Sequence, residues 1–203
     1  MYYLLGYNIE DSKTDIWFNG EIYNNNQVEV DDMFMFSSGN ALKQNEIQAP
    51  FKIILDEKES GIKNKKLKDK ISTSTTGAGF LFMVSPVAEA LFLKLKIDNM
   101  QYFDVTVKSK GFELNNYKIV NITDKIDCAD LSASVLEMKK DQIRSMTSLV
   151  LDENKIPKNK KIFLLGRKKT AIVLVHENLK KSIEEGGLTG FRFFELENAR
   201  GFY

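Results

Sequence analysis

Two short runs without a polar side chain, Phe80-Leu81-Phe82-Met83-Val84 and Ala171-Ile172-Val173-Leu174-Val175, constrain the fold of this chain more than any other feature. Side chains alternate between the faces of a strand, so an unbroken apolar strand has to be covered on both sides. Each run leads into a helix start. After the first, Ser85 is a favoured N-cap, and Pro86 suits the first helical position because its missing N–H would be unpaired there anyway. Glu89 falls in the first turn, where the positive end of the helix dipole favours an acid, and Val87, Leu91 and Leu95 share one face. After the second, His176-Glu177-Asn178 opens a helix with Leu179 and Ile183 on one face. Gly186-Gly187 stops it, since glycine enters the left-handed region without a Cβ penalty. Strands over residues 102–107 and 191–196 complete two units in which Val84 corresponds to Val175 and Ser85 to His176, a weak internal repeat.

Further strands are expected at Phe51–Leu55 and at residues 117–122, 148–151 and 162–165, with Asp124 to Ser134 as a polar turn region. Periodicity does not decide between helix and strand for residues 135–146. Tyr3, Leu5 and Tyr7 alternate as in a half-buried strand, and Asn24-Asn25-Asn26 reads as a turn. The rest of residues 1–77 looks irregular, and the Ser/Thr-rich stretch from Leu67 to Gly77 reads as a surface connection. The expected fold class is therefore mixed α/β (α+β). It has one central mixed sheet drawn from residues 80–196, two short flanking helices in a weakly repeated strand–helix–strand plan, and an irregular N-terminal lobe. The whole of residues 1–203 is read as one domain, with 1–77 as the lobe and 78–203 as the sheet core.

At 203 residues and 43% hydrophobic, the chain can fill a core without a metal or disulfide. Its 29 basic and 28 acidic residues nearly cancel, which removes a global argument for nucleic-acid or membrane binding. The single cysteine, Cys128, has no internal disulfide partner, and the N-terminus shows no basic leader followed by an apolar stretch. A cytoplasmic location is the expectation.

Catalytic chemistry has little to work with. His176 is the only histidine, and no G-x-S-x-G elbow exposes a nucleophile, so a capping role is the simpler reading. Cys128 lies in Ile126-Asp127-Cys128-Ala129-Asp130, where flanking carboxylates oppose thiolate formation. One His and one Cys make no zinc constellation, and Gly77-Ala78-Gly79 precedes a strand where a phosphate loop must follow one. No catalytic, cofactor-binding or metal residue is assigned, and no cofactor is expected. Charge clustering remains. Residues 10–32 carry Glu10, Asp11, Asp15, Glu21, Glu29, Asp31 and Asp32 against Lys13 alone. Residues 155–169 carry Lys155, Lys158, Lys160, Lys161, Arg167, Lys168 and Lys169 and no acid. Either stretch suits a partner of opposite charge.

Three stretches carry a family resemblance: Met83-Val84-Ser85 with its helix; Tyr117-Lys118-Ile119-Val120-Asn121-Ile122 leading to Ile126-Asp127-Cys128-Ala129-Asp130 and Ser134; and Ile172-Val173-Leu174-Val175-His176-Glu177-Asn178-Leu179 closing in Gly187-Leu188-Thr189-Gly190-Phe191-Arg192-Phe193. From about residue 80 onward the chain resembles the bacterial immunity proteins of polymorphic toxin systems, in the group named after a Myxococcus protein. Where that family more often has serine, this chain has His176. The resemblance implies a non-enzymatic protein that binds a cognate toxin domain and protects the cell that makes it. Because many toxins that act on nucleic acids are basic, the acidic residues Glu10, Asp11, Asp15, Glu29, Asp31 and Asp32 are the expected contact surface, with Trp17, Phe18 and Tyr23 as aromatic anchors. Two rival readings stay open: a carboxylate-based, metal-dependent hydrolase using Asp124, Asp127 and Asp130, and a nucleic-acid-binding module using residues 155–169.

Overall fold

The computed structural model describes residues 1–6, 17–30, 32, 34–43, 47–56, 66–76 and 79–200. In chain order the elements are β1 (Tyr2–Leu5), β2 (Trp17–Tyr23), β3 (Phe51–Leu55), β4 (Lys70–Thr76), β5 (Gly79–Val84) and helix α1 (Pro86–Lys94). There follow β6 (Met100–Ser109), β7 (Phe112–Ile122), β8 (Lys125–Ile126), β9 (Val135–Lys139), β10 (Gln142–Ser148) and β11 (Ile162–Leu165). The chain finishes with β12 (Val173–His176), helix α2 (Glu177–Glu185) and β13 (Phe193–Phe194).

The fold is mixed α+β, but its centre is not one sheet. Six strands close a barrel in the order β2-β3-β6-β7-β5-β4, and five others form a separate sheet in the order β13-β1-β12-β11-β8. β9 and β10 make a two-stranded hairpin, which settles residues 135–146 as strand. The barrel takes strands from both sides of residue 78, because β4 pairs antiparallel with β5. The N-terminal part is thus not an irregular lobe: it supplies β2, β3 and β4 to the barrel and β1 to the middle of the other sheet.

Two errors of pattern explain that difference. The Ser/Thr-rich stretch is a barrel strand whose Lys70, Ser72 and Thr73 are buried. A buried polar strand is tolerable when its side chains are satisfied. Thr73 Oγ1 donates to the Phe18 carbonyl at 2.8 Å, and Lys70 Nζ donates to Ser72 Oγ and to the Gly6 carbonyl. β1 is buried along its whole length, where alternation suggests a half-buried strand, because β12 and β13 flank it on both sides.

The two apolar runs behave as their composition requires. Leu81 and Met83 of β5 point into the barrel with Phe18, Ile53, Val107 and Ile119, while Phe82 and Val84 point out into a second core. Val173 and Val175 of β12 enter that same second core, and Ile172 and Leu174 face a third, around Phe163 and Cys128. The internal repeat is visible in the topology. β5 and β6 both run antiparallel to β7, which separates them, and α1 joins them. β12 and β13 flank β1 in the same way, and α2 joins those. The two units lie in different sheets, and their helices meet across the second core through Ala88 and Phe92, and Leu179 and Ile183. The buried face of α1 is therefore Ala88/Phe92; Val87, expected inside, is 62% exposed. Residues 149–151 leave the sheet after Ser148 apart from a single bridge between Leu151 and Ala129, and residues 191–196 shrink to the two-residue β13.

Both N-caps form. Ser85 Oγ accepts from the Ala88 N–H at 3.2 Å, and His176 Nδ1 accepts from the Asn178 N–H at 3.2 Å. Asp69 draws the first cap into a wider clamp. Its carboxylate accepts from Ser85 Oγ at 2.7 Å and from both the N–H and the hydroxyl of Thr189 at 2.8 Å. Burial opposes the charge, but these hydrogen bonds outweigh it and hold the Asp69 carboxyl below its ordinary range. The clamp fixes the Gly187–Phe191 segment against the start of β4, where the Lys70 N–H also donates to the Thr189 carbonyl. Gly190 has φ +84°, and a Cβ there would lie 2.2 Å from the Lys70 carbonyl oxygen.

Gly190→Ala is therefore expected to cost about 3 kcal/mol, read as a lower denaturant midpoint, because both the backbone angle and the contact forbid a side chain. His176 gives a pH signature. Only neutral imidazole has a lone pair on Nδ1 for the cap, and burial, reinforced by the N-terminal ammonium, lowers the His176 pKa. The unfolded chain then binds the proton first, so the contribution is complete above a pH of about 6.5 and is lost as pH falls below it. His176→Ser keeps a cap without the titration; its melting temperature should drop less than that of the native chain between neutral pH and mildly acidic pH.

Candidate functional site

The structure separates the residues that invited catalytic readings. His176 is spent on the α2 cap and packs edge-on against Tyr2, with ring centroids 5.0 Å apart. Asp124 pairs with Lys160 at 2.5 Å, Asp127 holds the Arg167 Nε at 2.7 and 2.9 Å, and Asp130 accepts from the backbone and hydroxyl of Ser132 and the N–H of Ala133. Each carboxylate has its own partner, and among the described residues no three His, Cys, Asp or Glu side chains are grouped to hold a metal. Cys128 is fully buried, and burial first, then Asp127, pushes its thiol up to about 12.

Of the acidic contact residues, Glu10, Asp11, Asp15 and Asp31 lie outside the described residues. Glu29 and Asp32 are exposed, and Asp32 Oδ1 accepts from the Phe34 N–H at the start of the 3-10 turn Met35–Ser37. The aromatic anchors need correcting. Phe18 is 0% exposed, because alternation along β2 turns it into the barrel core. Tyr23 is half-buried and donates to Glu21 at 2.5 Å, and the Trp17 side chain is outside the described residues.

The basic stretch is mostly neutralised where it stands. Lys155 pairs with Asp152, Lys160 with Asp124 and Asp98, and Arg167 with Asp127, while Lys161 Nζ donates to the Leu95 carbonyl. Its last residues do something else. Gly166 passes so close to Asp127 that a Cβ would meet the Asp127 Cα at 2.6 Å, and its N–H donates to the Ile126 carbonyl. The Ile143 N–H donates to the Arg167 carbonyl. The loop after β11 is thereby held between β8 and β10, with Arg167 itself at φ +55°.

Two adjoining concavities of about 340 and 350 Å³ open around this loop and share Gln142, Lys168 and Lys169. One reaches Lys125 and Phe34 on the 3-10-turn side, and the other reaches Lys139 and Arg144 on the hairpin. Among the described residues, neither is lined by a carboxylate. Lys168, 6% exposed, donates to the Arg144 carbonyl, and Lys125 donates to the Ser37 carbonyl at 2.9 Å; burial lowers the pKa of both. Lys169 lies 5.9 Å from the centre of the Phe34 ring, which is 41% exposed. Lys139 and Lys169 make no ion pair among the described residues. No linear signal announces this groove, because its walls come from four separated segments. No helix among the described residues is long and apolar enough to cross a membrane.

Residues 26–198 match a family model described as an immunity protein family, Imm11. A comparison with curated proteins finds no match.

The Cys128 environment sets a measurable expectation. A thiol at about 12 carries on the order of a thousandfold less thiolate at pH 8 than one at the ordinary value of 9.0. Folded protein should leave a thiol-titrating disulfide reagent unreacted at pH 8, and stoichiometric reaction should begin only on unfolding.

Proposed function

The chain belongs to the Imm11 immunity protein family, and from that membership we propose that it binds a cognate bacterial toxin domain and neutralises it by covering the toxin's working surface. The observation that carries this is the family match itself, which spans residues 26–198 and so takes in the barrel from β3 onward, both helices and nearly all of the second sheet. The protein works in the cytoplasm, on toxin made by its own cell or delivered by a sibling. It acts by stoichiometric binding and not by turnover. In support of that reading, His176 is committed to a helix cap, Cys128 is sealed in a core, and Asp124, Asp127 and Asp130 are each paired separately.

Neutralisation sets physical requirements. A small free fraction of a toxin can kill, so affinity has to be nanomolar or better, about −12 kcal/mol. A contact of about 800 Å² per partner on a preformed surface is of the usual size for that. The barrel and five-strand sheet supply rigidity, so little ordering cost is added on binding.

Co-expression tests the proposal. The C-terminal domain of the protein encoded immediately upstream is induced in a heterologous bacterium with and without this chain. Growth should stop in the first case and be restored in the second, and the two proteins should co-purify. A toxic domain that this chain neither rescues nor binds would remove the reading.

A further inference from the structure

We propose that the groove between the 3-10 turn, the loop after β11 and the β9–β10 hairpin is the toxin-docking surface, and that it receives an acidic segment of the partner protein. The inference rests on the immunity reading and specifies which face does the work. It departs from the contact surface that the acidic stretch 10–32 suggests.

Charge complementarity carries it. Lys125, Lys139, Arg144, Arg167, Lys168 and Lys169 line the two concavities, and no acid among the described residues does. Two of the six, Arg144 and Arg167, have a carboxylate nearby, Glu137 at 3.6 Å and Asp127 at 2.7 Å. Among the described residues, Lys125 and Lys168 bond only to backbone carbonyls, and they are partly desolvated as well. A buried ammonium without a counter-ion is costly, and a carboxylate arriving from a partner offsets that cost in a site that water screens poorly. Exposed Lys139 and Lys169 at the rim accelerate the encounter with an acidic surface.

The groove is also fixed before a partner arrives. Gly166, Arg167 and Lys168 are tied to β8 and β10 through Ile126, Ile143 and Arg144. Apolar surface stands beside the cations: Phe34 at one end and exposed Met138 on β9, cross-strand from Ile143. A mixed apolar and cationic rim suits a protein segment better than a nucleic acid. Among the described residues Phe34 is the one aromatic ring lining the concavities, so they show no series of rings on which bases would stack.

The test uses the full chain and its double variant Lys139→Glu/Lys169→Glu. Both positions are exposed and free of ion pairs, so folding should be unchanged, as a thermal melt would check. The first probe is the upstream toxin domain. Charge reversal should weaken its binding at least tenfold, mainly through slower association, and the difference should shrink as salt is raised. Lys139→Arg/Lys169→Arg should bind like the native chain. Glu29→Lys/Asp32→Lys serves as the comparison. Equal binding by native chain and groove variant, or loss only in the Glu29/Asp32 variant, overturns the inference while leaving the immunity function intact. Failure of the native chain to bind the toxin strikes the function instead. A deca-glutamate peptide then decides the groove independently: binding to the native chain at low salt, abolished in the groove variant, supports it, and no binding overturns it. Tighter binding of a twenty-nucleotide oligo(U) than of the peptide also overturns it, in favour of nucleic acid.

Discussion

Strand β5 is a wall shared by two cores, and the rest of the molecule is arranged around that fact. Leu81 and Met83 fill the barrel, while Phe82 and Val84 pack outside it against Val173 and Val175 of the second sheet. β7 behaves likewise, with Tyr117 and Ile119 inward and Val120 and Ile122 outward. Each such side chain contributes roughly 1.5–3 kcal/mol on burial. Barrel and sheet therefore stabilise one another through the same few strands, and a change on one face of β5 is felt in both layers. The β11 and β12 pair repeats the arrangement one layer further on, separating the second core from the third. A rigid layered body of this kind holds a surface in a defined shape without a ligand.

The strands with unbroken apolar runs, and the helices that follow them, were legible in the sequence down to their caps. Ser85, His176 and the Gly186-Gly187 stop all serve as the residue chemistry predicts. The barrel was not legible. Its polar member β4 carries Lys70, Ser72 and Thr73 into buried positions, where Thr73 donates to the Phe18 carbonyl and Lys70 to the Gly6 carbonyl, each more than fifty positions away. Local pattern cannot anticipate such a partner, so the segment reads as a loop. Val87 misled for a different reason: a helical stripe shows which residues share a face, and packing against β5 and β7 selects which face is buried.

Charge depends on the fold in the same way. Seven bases in fifteen residues look like an electrostatic patch, yet Lys155 is paired with Asp152 three residues before it, and Lys160 and Arg167 with the more distant Asp124 and Asp127. Among the described residues, the groove's charge without a carboxylate partner comes from Lys168 and Lys169 of that stretch together with Lys125 and Lys139, contributed by three separate elements. Coulomb energy depends on distance and burial, and sequence proximity is a poor proxy for either.

The string Gly187-Leu188-Thr189-Gly190-Phe191, which carried much of the family resemblance, turns out to serve the scaffold. Thr189 donates to Asp69, Gly190 passes over the Lys70 carbonyl, and Phe191 packs edge-on against Phe92 of α1. These contacts tie the Gly187–Phe191 segment to the barrel and to the first helix cap. A match built on such residues identifies a shared body, whose binding specificity is free to reside elsewhere. In this chain the β9–β10 hairpin carries mostly exposed side chains, while Ile143 anchors it in the third core and its N–H bonds to the Arg167 carbonyl in the loop after β11. If the proposed groove is the docking surface, substitution on that exposed hairpin would change recognition at little cost to the fold.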